Sequence, residues 1–217
     1  MQHEPPQIPI NAEISYGVAI IPTNPLKDKV AAASLRVTRS FENENVIDNK
    51  RFPAHVSLYL GGTSRDYIPM LSDAIDKAIR PHLLAKLRAD SLYSDGGFIG
   101  VDVAVDSATR LLFDAVVSAC AQVHQTSQLV RPHLISRWSR LTSAQRDLIL
   151  RMGTYKVDPS GLHISVAQVD PQDLNSAFVL ARRDLTLPEE FGIESVQIVD
   201  VGHNNEKWVV LWSSANS

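Results

Sequence analysis

The stretch Phe52-Pro53-Ala54-His55-Val56-Ser57-Leu58-Tyr59-Leu60 alternates between polar and apolar side chains with a period of two residues. This period predicts an extended strand with His55, Ser57 and Tyr59 on one face and aliphatic side chains on the other. Because an apolar face becomes buried, the opposite face presents an imidazole and a hydroxyl about 7 Å apart, at a strand rise of roughly 3.3 Å per residue.

The same arrangement recurs later in the chain, at Gly161-Leu162-His163-Ile164-Ser165-Val166-Ala167-Gln168-Val169. There His163 and Ser165 share one face of the predicted strand, and aliphatic side chains share the other. Two strands that each display His-x-Ser predict a single site built from two similar halves.

Chance alone yields about one His-x-Ser or His-x-Thr in a chain of this composition. A third copy, His124-Gln125-Thr126, lies in a polar run that we expect at the solvent-facing end of a helix, without a functional role. The other two copies stand out because both lie on clear strand alternations in corresponding halves. The alternative is that His55 and His163 are ordinary polar residues on the solvated faces of two sheets.

Composition predicts an ordinary globular protein with one large domain, since the chain has 217 residues, 44% hydrophobic residues and 21% charged residues. The net charge of −3 argues against a general coat on long nucleic acids, which needs surplus Lys and Arg. It leaves a nucleotide or short oligonucleotide as a possible partner. The single cysteine, Cys120, lies in an apolar helix-like run and fits a buried thiol in a reducing, cytoplasmic compartment.

The first residues of the sequence predict no signal peptide. Residues 1–12 predict a flexible lead-in without the basic start and apolar run of a signal peptide, followed by a single domain over residues 13–214. No stretch approaches the roughly 18 uninterrupted apolar residues of a membrane span, so we expect no membrane partner. We expect a monomer.

The remaining patterns predict the order β-α-β-α-β-α, a basic helical insertion, and then β-α-β-β. The predicted strands outside the motifs cover residues 14–22, 92–105 with a turn at 96–97, 193–201 and 208–212, the last two joined by a hairpin-like turn. The predicted helices cover residues 26–41, 63–88 with a break at Pro81, 108–125 capped by Ser107, 143–152 and 173–183. This order predicts an α+β fold of two sheet lobes that face each other across a groove.

The insertion, residues 128–157, is strongly basic. Its cations are Arg131, Arg137, Arg140, Arg146, Arg151 and Lys156, and Asp147 is its one acid. Together with Trp138 and Tyr155, these arginines can cap the groove and hold phosphates, although a solvated helix face is the simpler explanation. We regard Tyr59, His133, Arg137 and Tyr155 as possible substrate contacts. For Tyr59 the alternative is a role in filling the groove wall, and for His133 it is a surface loop.

The two motifs Pro53-Ala54-His55-Val56-Ser57-Leu58 and Gly161-Leu162-His163-Ile164-Ser165-Val166 resemble the signature of the 2H phosphoesterase superfamily. That superfamily includes the 2'-5' RNA ligase-like proteins and the cyclic phosphodiesterases. The resemblance covers residues 14–213 and implies a bilobal α+β fold, with a pseudo-two-fold axis and both motif strands lining a central cleft. The chain departs from the family in its basic insertion, which helps to set the histidines 108 positions apart (163 − 55).

The predicted chemistry needs no metal or other cofactor. Imidazole has an ordinary pKa near 6.5, so one histidine can take a proton while the other gives one at opposite sides of a phosphorus atom. Ser57 and Ser165 can donate hydrogen bonds to the phosphate oxygens. His-x-Ser lacks the ligand set of a zinc site. The sequence does not decide which of His55 and His163 is the acid and which is the base.

Three functions remain open at this point. The first is a metal-independent phosphodiesterase that hydrolyses a 2',3'-cyclic phosphate or a 2'-5' or cyclic (oligo)nucleotide phosphodiester. The second is RNA-end processing or 2'-5' RNA ligation at the same site. The third is a non-enzymatic nucleotide-binding module, which would not need an acid-base pair of histidines.

Overall fold

The computed structural model of the protein describes residues 10–41, 46–202 and 207–214. The strands of these parts are β1 (Ile10–Asn11), β2 (Ile14–Pro22), β3 (Val56–Thr63), β4 (Lys86–Asp95), β5 (Phe98–Val103), β6 (Leu129–Val130), β7 (His163–Gln168), β8 (Glu190–Asp200) and β9 (Val209–Ser213). The helices are α1 (Leu26–Ser40), α2 (Ile68–Ile79), α3 (Ser107–Ser127), α4 (Pro132–Ser136), α5 (Ser143–Met152) and α6 (Leu174–Asp184).

The strands form a large antiparallel sheet, so the predicted α+β class is confirmed. Its order is β2-β3-β7-β5-β4-β8-β9, and β2 also pairs with β8, so the pairings close a circuit of six strands. The short strands β1 and β6 pair in parallel outside this sheet.

The chain repeats one order of elements. The first half runs β2-α1-β3-α2-β4, and the second runs β5-α3-β7-α6-β8, with the basic insertion between α3 and β7. The third strand of each half pairs with the first strand of the other half, as β4 with β5 and β8 with β2. The two motif strands, β3 and β7, are antiparallel neighbours with Val56 opposite Ile164.

The core lies between the sheet and the helices. Val56 on β3 and Ile164 on β7 are fully buried, and they pack in one cluster with the apolar faces of α1, α2 and α3. Burying these aliphatic faces supplies most of the driving force for this arrangement. Because side chains alternate along a strand, the other face of β3 and β7 is left as a partly exposed surface that carries the motif histidines.

Several element boundaries differ from the predictions. The helix expected to reach residue 88 ends at Ile79, and Lys86–Asp95 is instead the strand β4. Pro81 lacks an amide hydrogen and stands in a single 3₁₀ turn, where the helix stops. The cap of α3 is Asp106 and not Ser107, because the Asp106 carboxylate accepts a hydrogen bond from the Thr109 amide at 2.8 Å.

Other predicted elements are confirmed. The strand over residues 14–22 and the helix over residues 143–152 have the expected bounds. The turn at Gly96-Gly97 joins β4 to β5, and both glycines have positive φ angles, of 55° and 92°. The strands β8 and β9 pair as expected, although most of the segment between them lies outside the described residues.

Residues 1–9 of the predicted lead-in, which covers residues 1–12, lie outside the described residues. Its last part is ordered in a sheet, because Ile10 and Asn11 pair with Leu129 and Val130 of the insertion. None of the helices in the described parts of the chain is long and apolar enough to cross a membrane.

Candidate functional site

The register of β3 and β7 brings the two His-x-Ser motifs side by side. Val56 lies opposite Ile164, and both point into the core. Continuing this antiparallel register by one residue in each direction places Ser57 opposite His163 and His55 opposite Ser165. All four polar side chains therefore share the face of the sheet that points away from the core, which is the juxtaposition that the sequence predicted.

Both histidines make the same hydrogen bond to the backbone. The Nδ1 atom of His55 lies 2.9 Å from the Pro53 carbonyl oxygen, and that of His163 lies 2.8 Å from the Gly161 carbonyl oxygen. Because a carbonyl oxygen can only accept, Nδ1–H is the donor in each ring. The Nε2 atom is then the one left to take or give a proton, and both rings are fixed for that purpose in the same way.

The His55 ring lies against two aromatic side chains. Its centroid is 5.5 Å from that of Phe52 and 4.4 Å from that of Trp208. The Trp208 Nε1–H group donates a hydrogen bond to Gln197 Oε1 at 3.2 Å. Gln197 lies opposite Ala19, which in turn lies opposite Ser57, so the indole is tied to the row of the sheet that contains the first motif.

The His163 ring also has two aromatic neighbours. Phe98 and Tyr93 lie with ring centroids 5.2 Å and 6.4 Å from it. Gly100 lies opposite Ser165, and a side chain there would come within 2.8 Å of the Phe98 ring and 2.9 Å of the Tyr93 ring. A side chain at Gly100 would therefore push these two rings away from their positions beside His163.

Charge is distributed unequally over this face. Asp102 lies directly opposite His163 in the pairing of β5 with β7. Burial raises the pKa of the Tyr93 phenol, and the carboxylates of Asp102 and Asp95 raise it further. The second motif thus lies beside carboxylates, whereas the first lies among apolar rings.

Burial lowers the pKa of His55 from 6.5 to about 4. The hydrogen bond to Pro53 opposes this change, and the nearby charge of a protonated His163 reinforces it. A cation–π contact with the indole would favour the charged ring by about 0.5–2 kcal/mol, and it is outweighed by the loss of water around the imidazole. His55 is therefore neutral at pH 7 and has the protonation state of a general base.

The structure corrects the placement of Tyr59. The pairing of β2 with β3 shifts register between Val18 and Ala19, so the two-residue alternation breaks just before Tyr59. Tyr59 is 3% exposed, stacks on Tyr16 and donates a hydrogen bond to the Met152 carbonyl oxygen. It lies in the core and not on the His55 face, so it ties the insertion to β3.

The insertion has a small core of its own. Val130, Leu134 and Ile149 are buried together, and Trp138 and Tyr155 pack against them. Its backbone comes so close to β3 that a side chain at Gly62 would lie 2.6 Å from the Arg131 amide nitrogen.

The candidate residues of the insertion make their described contacts with other residues of the insertion. The Arg137 guanidinium donates a hydrogen bond to His133 Nε2 at 3.4 Å. Burial and the charges of Arg131 and Arg137 lower the pKa of His133. Among the contacts described for residues 128–157, those of His133, Arg137 and Tyr155 stay within the insertion. The structure does not bring these three to the motif histidines through any described contact.

The third motif copy, at His124, differs from its prediction in one respect. His124 is 4% exposed and its Nε2–H group donates to the Leu150 carbonyl oxygen at 3.1 Å, so it faces the protein and not solvent. It helps to hold α5 against α3. Cys120 is fully buried as predicted, and burial raises the pKa of its thiol.

The sequence reasoning missed the aromatic surroundings of both histidines. The signal for Tyr93 and Phe98 was present, because they flank the Gly96-Gly97 turn on strand positions. Trp208 and Gln197 had no such signal, since their approach to the first motif depends on how β8 pairs with β2. In the described parts of the chain, His, Cys, Asp and Glu side chains form no group of three that could hold a metal ion.

Comparison with known proteins gives no family assignment. No protein-family model matches the chain. A search of curated proteins also finds no match.

Proposed function

We propose that this chain is a metal-independent phosphodiesterase of the 2H phosphoesterase type. It hydrolyses a 2',3'-cyclic phosphate or a 2'-5' or cyclic (oligo)nucleotide phosphodiester, in a reducing, cytoplasmic compartment. The observation that carries the proposal is the pair of antiparallel His-x-Ser motifs, in which each Nδ1–H is held by the carbonyl two residues earlier. Two imidazoles fixed alike on one face are what acid-base catalysis at one phosphorus atom requires.

The register supports a division of labour around one phosphate. Side chains directly opposite on antiparallel strands have Cβ atoms about 4.5–5.5 Å apart. Ser57 therefore stands beside His163, and Ser165 beside His55, so a phosphate lying over the two strands meets one hydroxyl and one imidazole from each strand. The hydroxyls donate to the non-bridging oxygens as negative charge concentrates there.

The surroundings of the rings support an assignment of roles. His55, whose pKa burial lowers to about 4, takes the proton of the attacking water or hydroxyl at Nε2. His163 gives a proton to the leaving oxygen, and before the next turnover His55 releases its proton to water while His163 takes one up from water. The proton balance closes because the nucleophile loses one proton and the leaving group gains one.

The repeated order of elements supports the fold type that accompanies this chemistry. Both halves have the order β-α-β-α-β and exchange their third strands, as expected for two lobes related by a pseudo-two-fold axis around the motif strands. The partly exposed rings of Trp208, Tyr93 and Phe98 beside the histidines are suited to stack on nucleobases. The net charge of −3 favours a short substrate over long RNA.

The proposal is tested by a substrate panel followed by mass spectrometry of the products. The panel contains 2',3'-cyclic mononucleotides, RNA ends with a 2',3'-cyclic phosphate, 2'-5' and 3'-5' dinucleotides, and cyclic dinucleotides. We expect turnover of at least one phosphodiester, unchanged in EDTA, and none by the double variant His55→Ala/His163→Ala. Joining of RNA ends would instead indicate a ligase, and tight binding without turnover would indicate a binding module.

A further inference from the structure

Trp208, His55 and Phe52 form a closed group of three rings. Each ring contacts the other two, with centroid distances of 4.4 Å for Trp208–His55, 5.5 Å for Phe52–His55 and 5.3 Å for Phe52–Trp208. The contact between the indole and the imidazole is the closest of the ring contacts described in this chain. An imidazole packed against two rings has less room for the water that would solvate its charged form.

The indole is held in place from the sheet. Its Nε1–H group donates to Gln197 Oε1 on β8, and Val209, the residue that follows it, pairs with Asp200 on the same strand. Trp208 is thus fixed both by its side chain and by the strand that it precedes. A ring fixed at two points can exclude water more reliably than one that rotates freely.

The two halves of the site differ at this position. The rings beside His163, those of Phe98 and Tyr93, have centroids 5.2 Å and 6.4 Å away, and Asp102 lies opposite that histidine. The two motifs match in sequence pattern, but the ring in closest contact with His55 is an indole, whereas those beside His163 are a phenol and a phenyl ring. The asymmetry of the site therefore coincides with Trp208.

We infer that Trp208, held by Gln197, is a positioning residue that shields the His55 imidazole from water and so keeps it uncharged in mildly acidic solution. Its consequence for catalysis rests on the proposed function, whereas the shielding itself does not. The lowered pKa of His55, for which burial is the largest cause, agrees with this role. Removing the indole admits water to the imidazole and makes protonation easier.

The charged groups near these rings contribute less to the low pKa of His55 than burial does. His163 is the titratable group that acts on His55, and its positive charge works in the same direction as burial. Lys207, next to Trp208, pairs with Asp200 at 2.7 Å. Arg51, next to Phe52, acts on Asp48, whose carboxylate accepts its amide hydrogen at 2.8 Å. The cations beside both aromatic residues are thus balanced by carboxylates.

The experiment follows the His55 imidazole by NMR through a pH titration, without substrate. In the natural protein we expect His55 to stay neutral down to about pH 4. In Trp208→Ala its titration midpoint rises by about one unit or more toward the ordinary value near 6.5. Trp208→Phe, which keeps a smaller ring, gives an intermediate midpoint, and Gln197→Leu, which frees the indole, gives a small rise. Val209→Ala, a change at an adjacent residue that is 49% exposed, leaves the midpoint unchanged.

An unchanged His55 midpoint in folded Trp208→Ala overturns the inference. If that variant does not fold, Trp208→Phe and Gln197→Leu decide, and an unchanged midpoint in both of them overturns it equally. If a substrate is turned over, the pH at which kcat/KM falls on the acid side should rise in these variants by as much as the NMR midpoint does. Absence of turnover on every phosphodiester would refute the proposed function and leave the NMR result to stand by itself.

Discussion

His55 and His163 are chemically alike in the sequence and become different through their neighbours. Each donates Nδ1–H to the carbonyl two residues earlier, a local geometry that the pattern His-x-Ser does not reveal. The sequence did predict that they share a face with Ser57 and Ser165, because alternation along a strand is a local property. It could not predict that His55 is the one in contact with an indole, because Trp208 lies far from it in the chain, just before β9.

The enclosure of His55 makes the stability of the fold depend on pH. The unfolded chain has histidine pKa values near 6.5, while His55 has a pKa of about 4 when folded, so unfolding takes up a proton between these values. Its contribution to the free energy of unfolding is complete above pH 6.5 and is lost as the pH falls toward 4, by up to about 1.4 kcal/mol per unit. Denaturant unfolding at a series of pH values measures this effect. Between pH 4 and 6.5 the free energy of unfolding of His55→Asn should change less with pH than that of the natural protein, and an equal change would contradict the burial of His55.

The serines should act on the chemical step more than on the fold. Replacing Ser57 or Ser165 by Ala removes a hydroxyl that donates to a phosphate oxygen, and we expect kcat to fall by roughly 10–1000-fold with little change in melting temperature. Ser118→Ala, at an exposed position of α3, is the matched control. Steady-state kinetics check this, and wild-type kcat in both serine variants would remove the serines from the mechanism.

At the scale of elements, local sequence patterns predicted which helices and strands are present better than they predicted where each one ends. The apolar run of β2 and the helix α5, with its capping box at Thr142, had clear local signals. The predicted helix runs past Pro81 to residue 88, whereas Leu87 and Ala89 are buried on β4, where their two-residue spacing fits a strand and not a helix. Tyr59 was misplaced because an irregularity in the pairing of β2 with β3 leaves no mark in the sequence.

The insertion is fixed to the rest of the fold through Gly153, which has a φ angle of 74°. A side chain there would lie 2.5 Å from the Tyr59 hydroxyl and 3.0 Å from the buried His124 ring. We therefore expect Gly153→Ala to destabilise the protein by about 1–3 kcal/mol more than the backbone strain alone. The control is Gly96→Ala, which has a φ angle of 55° and nothing within 4 Å of the added carbon. Equal losses in thermal unfolding would show that the insertion does not dock here.

At the scale of the whole molecule, the two halves depend on each other. The strand β4 of the first half pairs with β5 of the second, and β8 of the second pairs with β2 of the first. The sequence showed the duplication, because each half carries one motif strand among similar elements. It did not show the exchange of strands, because pairing between distant strands depends on register and not on local period.

This exchange predicts that neither half folds alone. Fragments of residues 1–96 and 97–217, separated within the exposed turn at Gly96-Gly97, each leave strands without a partner. We expect poorly dispersed NMR spectra for each fragment and a native-like spectrum when they are mixed. A well-dispersed spectrum from either fragment by itself would contradict the mutual dependence of the halves.

The central claim is that His55 and His163 act as one acid-base pair on phosphorus, and it is tested most directly by measuring kcat of His55→Ala and His163→Ala on the best phosphodiester of the panel. Each variant should lose about 10²–10⁴-fold, since each removes one of the two proton transfers. Circular dichroism should stay unchanged, because both side chains lie on the partly exposed face of the sheet. Full activity in either single variant would contradict the account.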